Sequence, residues 1–324
     1  MIDRADYSAE PAEADFDEEA LVPDELAGKR LDQVLAALYP ELSRNRLQGW
    51  IKAGRVLVDG AVLAPKQKVL GGERLQLDMS PDPDQMVFEA EAIGLDVVFE
   101  DSAIIVINKP AGLVVHPASG NWSGTLLNAL LHYDSSLAGV PRAGIVHRLD
   151  KETSGLMVVA RTLAAQTNLV RQLQARSVSR EYTALAHGVL VTDGTVDAPI
   201  GRHPSQRTKM TVIPSGKEAI THFFIDRYYV ECTLLTCRLE TGRTHQIRVH
   251  MAHLGHPLVG DPVYGKRRCG NEALQRFPRQ ALHARRLGLI HPVTGQAMQW
   301  SADVPDDFAQ LIRALDSGAL FDGG

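Results

Sequence analysis

Cysteine is scarce in this sequence: three residues in 324, Cys232, Cys237 and Cys269. An odd number without paired zinc spacing gives no disulfide framework and fits a reducing compartment, so a cytoplasmic protein is expected. Long apolar runs are missing as well, and none approaches the roughly 20 residues of a membrane-spanning helix. The N-terminus is acidic, not basic and then apolar, which predicts no secretory signal. Cofactor signatures are missing too. There is no Gly-x-Gly-x-x-Gly, and Gly216-Lys217 lacks both the upstream Gly and the following Ser/Thr of a phosphate loop. No cofactor is therefore expected. Histidine is plentiful, with twelve in all, and His245, His250, His253 and His256 crowd one segment. In a helix, His250, His253 and His256 would share a face. Yet no carboxylate lies in that run and the spacing is not His-Glu-x-x-His, so no metal is expected.

What is present is ordinary in amount and uneven in place. Hydrophobic content of 44% and charged content of 23% suit a globular chain of one to two domains. The net charge of -5 hides an asymmetry. Residues 1–25 hold ten Asp or Glu and one Arg, leaving a body of 33 basic against 29 acidic residues. This reads as an acidic disordered tail on a mildly basic body, compatible with a polyanionic partner. No internal repeat is visible.

Residues 26–80 read as a small module. Leu31, Val34, Leu35 and Leu38 have helical spacing. Ser43 caps a second helix through Ala53, with Gly54 as its stop. Leu47, Trp50 and Ile51 face inward there, leaving Arg44, Arg46 and Lys52 outside. Asp59-Gly60 in Arg55-Val56-Leu57-Val58-Asp59-Gly60-Ala61-Val62-Leu63 is a hairpin signal. Residues 27–79 carry nine basic against five acidic residues, a face suited to RNA phosphates. Residues 81–89, opening on Pro81-Asp82-Pro83-Asp84, read as a linker.

Residues 90–324 read as one α+β domain around a largely antiparallel sheet. Asp96–Asp101 and Ala103–Asn108 read as paired strands, and Lys109–Pro117 as a strand broken by turn residues. Thr125–His132 is a short helix, and Thr162 caps another that runs to about Ala175. Glu181–Val191, Glu231–Glu240 and Ala281–Ile290 are strand-like.

Three segments carry the chemistry. In Gly144-Ile145-Val146-His147-Arg148-Leu149-Asp150-Lys151-Glu152-Thr153-Ser154-Gly155, charged groups fill a Gly-bounded loop before an apolar strand. Asp150 is the candidate nucleophile or base, and Arg148 and His147 the candidate substrate contacts. Tyr182 enters a strand in Ser179-Arg180-Glu181-Tyr182, where core packing is the bland reading. Arg248 lies between Ile247 and Val249, and an arginine buried there needs a partner; Asp150 is the obvious one.

Taken together, His147–Leu156, Arg180-Glu181-Tyr182 and Thr241-Gly242-Arg243-Thr244-His245-Gln246-Ile247-Arg248-Val249-His250 resemble the RluA family of pseudouridine synthases. Residues 43–60 resemble an S4 RNA-binding domain. The resemblance covers residues 27–315 and includes the Gly260-Asp261-Pro262-Val263-Tyr264-Gly265 segment. It implies a mixed-sheet catalytic domain behind a small S4-like α/β domain. It also implies an isomerase that turns uridine into pseudouridine without a cofactor. Asp150 would attack the uridine or otherwise drive glycosidic cleavage. Tyr182 would stack on the base and help remove the C5 proton. Arg248 would pair with Asp150, and Arg148 would fill the stack left by the flipped nucleotide. RNA contacts are expected from His147, Arg44, Arg46, Lys52 and Arg55. The S4-bearing branch of the family acts on large-subunit (23S) ribosomal RNA, so structured rRNA, specifically the helix 69 loop, is the expected partner of a monomer. Another rRNA or tRNA uridine, or a non-catalytic ribosome-assembly role, stands as the alternative.

Overall fold

A computed structural model of the chain describes residues 18–40, 42–79, 88–117, 122–206, 209–265 and 270–317. Most of the expected acidic tail, most of the expected linker, and Cys269 lie outside the described residues. The rest forms two compact units, the second beginning at Phe88, with Pro117 and Trp122 assigned to the first.

The first unit contains β1 (Glu18–Leu21), α1 (Leu31–Leu38), α2 (Arg44–Lys52), β2 (Val56–Val58) and β3 (Arg74–Leu77). Leu31, Val34 and Leu35 of α1 and Leu47, Trp50 and Ile51 of α2 are buried against Val56, Leu75 and Leu77. Ser43 caps α2 by accepting the Arg46 N–H at 3.3 Å. Two expectations need correction. The tail was expected to reach residue 25, but Glu18–Leu21 pairs antiparallel with Leu77–Arg74. The acidic side chains that read as disorder have cationic and amide partners on β3, Glu19 with Arg74 and Gln76. The Asp59-Gly60 turn forms, with positive φ at both residues, but only Ala61 bridges back to Val58. The strand beside β2 is β3, not residues 61–63. Val62 is 57% exposed, and Pro65 has no N–H to donate, whereas Leu75 and Leu77 are fully buried.

The second unit is built on one sheet. Its strands are β4 (Val97–Glu100), β5 (Ile104–Lys109), β6 (Ser154–Ala160), β7 (Ser179–His187), β8 (Gly194–Asp197), β11 (Ile220–Tyr228), β12 (Cys232–Leu239), β13 (Leu282–Ile290) and β14 (Ala297–Ser301). A separate hairpin pairs β9 (Ile200–Arg202) with β10 (Met210–Val212). Helices α3 (Leu126–Tyr133), α4 (Leu163–Gln174), α5 (Gln246–His253), α6 (Glu272–Arg276) and α7 (Asp306–Asp316) connect and cover them. The sheet order is β4-β5-β6-β13-β7-β12-β11-β8, with β14 paired to the far half of β13. Every pairing in it is antiparallel except β6 with β13. The α+β, largely antiparallel expectation therefore holds. Met157 and Val159 of β6 point into one core and Leu156 and Val158 into another, as a two-residue period requires.

Residues 110–117 are not a strand. Past β5 the segment turns, and only Val114 bridges, to Thr125. Thr162 caps α4 as expected, and α3 forms as expected with Thr125 as its cap. Strands β8 to β11 and β14, and helix α7, were not anticipated. The buried face of β11 is Thr221 and Phe223, alternating with His222 and Phe224, so its polar residues blurred the period-two pattern.

Candidate active site

Asp150 sits at the end of a loop pinned at both ends. Gly144 (φ +78) lies so close to β6 that a Cβ there would meet the Ala160 carbonyl oxygen at 1.8 Å. Gly155 (φ +117) is pressed on β13, where a Cβ would meet the Ala284 oxygen at 2.3 Å. Between them Leu149 is buried in the core, and the Thr153 N–H donates to the Asp150 carbonyl at 3.0 Å. The side chain of Asp150 is thereby left at the rim, 20% exposed.

Arg248 rises from α5, behind His245, which holds a left-handed backbone (φ 56). Its Nη1 donates to Asp150 Oδ2 at 2.9 Å. Its other edge is taken by Asp261, through Nε at 2.7 Å and Nη2 at 3.0 Å. Asp261 also accepts the N–H groups of Val263 (2.8 Å) and Tyr264 (3.0 Å). Burial opposes the charge on Arg248, but Asp261 and Asp150 overcome it and raise its pKa above the ordinary value. Burial likewise pushes Asp261 up, while Arg248 and the two N–H donors hold it below the usual carboxylate range. The Tyr264 ring lies 5.2 Å under the guanidinium. The Tyr264 hydroxyl accepts the Met210 N–H and hydrogen-bonds His245 Nδ1, and His245 Nε2 stands 3.9 Å from Asp150 Oδ1.

Two more groups close the site. Lys109, at the end of β5 and 1% exposed, donates to the carbonyls of Pro110, Leu113 and Lys151 at 2.8, 2.9 and 3.0 Å. Burial pushes it down to about 7, against the upward pull of Asp150 and Glu152. Tyr182 on β7 is 7% exposed and packs in the same core as Leu149 and Ile247. Burial raises its pKa, Arg180 draws it down and Asp150 pushes it up, so it lies within electrostatic reach of both.

The model of the RNA pseudouridylate synthase family matches residues 103–253, and that of the S4 domain matches residues 29–75. A "Ribosomal large subunit pseudouridine synthase D" of Nitrosomonas europaea is 54% identical over 97% of this chain and 94% of its own. One of Pseudomonas aeruginosa is 56% identical over 91% of this chain and 95% of its own. The chain belongs to the RNA pseudouridylate synthase family. It is an isomerase acting on RNA, with an S4 domain ahead of its catalytic domain. Among solved structures, human RNA pseudouridylate synthase domain containing 4 matches with a TM-score of 0.56 at 25% identity, over 68% of this chain and 93% of that one. Human RNA pseudouridylate synthase domain containing 1 matches at 0.54 and 25%, over 70% and 97%.

In this synthase the fold brings Asp150, Tyr182 and Arg248 to one place, and two of the expected RNA contacts need correction. His147 is half-buried, and its Nε2 accepts the Val158 N–H at 3.1 Å. Burial and Arg180 push it down to about 3, so it is a neutral anchor of the loop. Arg55 is 7% exposed, ion-paired with Asp78 at 3.1 Å and stacked 4.7 Å from the Trp50 ring. It holds the S4 core and does not face solvent. Arg148, Arg44 and Lys52 are exposed, and Arg46 is half-buried with its guanidinium 5.3 Å from the Trp50 ring. Among the described residues no three His, Cys, Asp or Glu side chains are grouped to hold a metal. His250 and His256 bond to Thr221, Ala198 and His187, each in its own place. Asp261 and Lys109 were not foreseen as site residues; the one signal was a carboxylate set between Gly260 and Pro262 in a segment that fits the family.

Proposed function

We propose that this synthase isomerises uridines of large-subunit ribosomal RNA, in the helix 69 loop, with Asp150 driving cleavage of the N1–C1′ bond. The relatives named for the large subunit, alike over nearly the whole chain, support the substrate. The geometry of Asp150 supports its role. Arg248 takes only Oδ2, end-on, so Oδ1 faces the site with no arginine bonded to it. A carboxylate held in this way is oriented and still able to stabilise or trap the positive charge that develops at C1′.

The target base must leave its stack to reach Asp150, at a cost of about a few kcal/mol. Arg148, exposed two residues before Asp150, would fill the gap with its guanidinium plane. Tyr182 would stack on the freed uracil as it turns and take part in removing the C5 proton. The reaction rearranges one nucleotide and needs no redox or phosphate donor. The enzyme would work in the cytoplasm as a monomer. The S4 unit would hold RNA phosphates through Arg44, Arg46 and Lys52.

Pseudouridine mapping of ribosomal RNA from cells lacking the protein tests this. Loss of modification in the helix 69 loop, restored by the wild type and not by Asp150→Asn, is the expected result. Restoration by Asp150→Asn would remove Asp150 from the chemistry, and loss at another uridine would move the substrate.

A further inference from the structure

Four arginines are buried among the described residues, and three of them hold a carboxylate. Arg55 has Asp78, Arg279 has Asp307, and Arg248 has Asp261 and Asp150. The fourth, Arg180, has none among the described residues. It is 9% exposed. Its Nη2 donates to the Glu240 carbonyl at 3.3 Å, and its buried Nε has no partner. The nearest carboxylates along the chain and across the sheet are engaged elsewhere. Glu181 bonds Arg238 at 2.8 Å and Arg286 at 3.1 Å. Glu240 bonds His222 at 2.7 Å and Arg176 at 3.6 Å. Burial alone opposes the charge on Arg180, which lowers its pKa, with only Tyr182 acting the other way.

An uncompensated buried cation is destabilising, so a fold that keeps one normally has a use for it. Its surroundings indicate the use. Arg180 lies two residues before Tyr182 on β7, hence on the same side of the strand. His147 of the Asp150 loop feels its charge. Gly242, in the segment leading to His245 and Arg248, makes room for its Nη1; a Cβ there would lie 2.6 Å away. All three site segments therefore border this one guanidinium.

We propose that Arg180 is a backbone anion site of the RNA, receiving a phosphodiester of the bound strand next to the extruded uridine. The strand supplies the counter-charge that the described residues lack. This rests on the enzyme's action on RNA, and it adds a phosphate contact inside the catalytic unit, apart from the S4 face.

The test compares Arg180→Met and Arg180→Lys in an Asp150→Asn background, which prevents turnover. The probes are two RNA hairpins of equal length, one with the helix 69 loop and one with that loop scrambled. Arg180→Met is expected to weaken binding about tenfold, the effect of one contact to a charged group. The slope of log K against log salt should become shallower by about 0.7–0.9. Its melting temperature without RNA should hold or rise, because an unpaired buried charge has gone. Arg180→Lys should keep the slope. An unchanged slope in Arg180→Met would overturn the proposal, and so would a fall in melting temperature with unchanged RNA affinity, which marks a structural arginine. Equal wild-type affinity for the two hairpins would count against the helix 69 substrate and leave the Arg180 comparison intact.

Discussion

At Arg248 a single guanidinium serves two carboxylates, and the division between them matters. An arginine facing Asp150 alone would favour the two-bond fork and engage both carboxylate oxygens. Asp261 occupies the Nε and Nη2 edge, so Asp150 receives one bond and keeps Oδ1. Asp261→Ala is expected to cost about 3–5 kcal/mol in denaturant unfolding, because it leaves a buried charge half-paired. It should also lower kcat more than it raises KM, as Arg248 swings onto Asp150. A variant with wild-type kcat would show that Asp261 serves folding only. Lys109 gives a pH signature. Its folded pKa of about 7 lies below the ordinary 10.5, so between these values the unfolded chain binds more protons and stability rises with pH. Relative to Lys109→Met, the wild type should gain up to about 1.4 kcal/mol per pH unit from pH 7 to 9. A flat difference would mean that the three carbonyls around Nζ keep the ammonium charged through that range. The Asp150–Arg248 pair was legible because an arginine between Ile247 and Val249 demands a partner. Asp261 was not, since the sequence gives no measure of how many carboxylates one guanidinium holds. His147 misled because a polar residue beside Arg148 looks exposed, while its ring in fact turns inward to the Val158 N–H.

Among the elements, the loop from Gly144 to Gly155 is positioned by contacts that only a missing Cβ allows. Gly155→Ala would push a methyl group into the Ala284 backbone and force a positive φ on a residue that resists it. It is expected to destabilise by about 1–3 kcal/mol or more, measured by thermal unfolding, and to lower activity by displacing Asp150. A variant with normal stability would show that β6 and β13 can separate there without consequence. Elements with strong local signals were readable: α1 by its spacing, α2 and α4 by their caps, α3, β5 and β6 by their apolar runs. Elements held by partners distant in sequence were not. The acidic strand β1 exists because β3 offers Arg74 and Gln76, and β2 pairs with β3 because residues 61–63 bury too little. Neither fact is local.

For the molecule as a whole, the charge distribution decides how it meets a polyanion. The net charge of -5 would repel RNA, but ten of the 39 acidic residues stand before residue 26 and the rest of the chain is net basic. In the S4 unit Arg44, Arg46 and Lys52 lie on α2, while Arg55 is committed to Asp78. A variant testing this face should therefore leave Arg55 alone, since its loss would break a buried pair and confuse binding with folding. Arg44→Gln, Arg46→Gln and Lys52→Gln together should be tolerated. Asp32 would keep Arg30 and Gln48 when Arg44 goes, and a pair with Arg44 half exposed contributes little. With the fold intact, the slope of log K against log salt should become shallower by about 2 to 3, the effect of three lost phosphate contacts. If the triple variant binds with the wild-type slope, the basic face of α2 does not touch phosphate. Affinity for RNA would then have to come from the catalytic unit or from other basic residues of the S4 unit, such as Lys66 and Lys68.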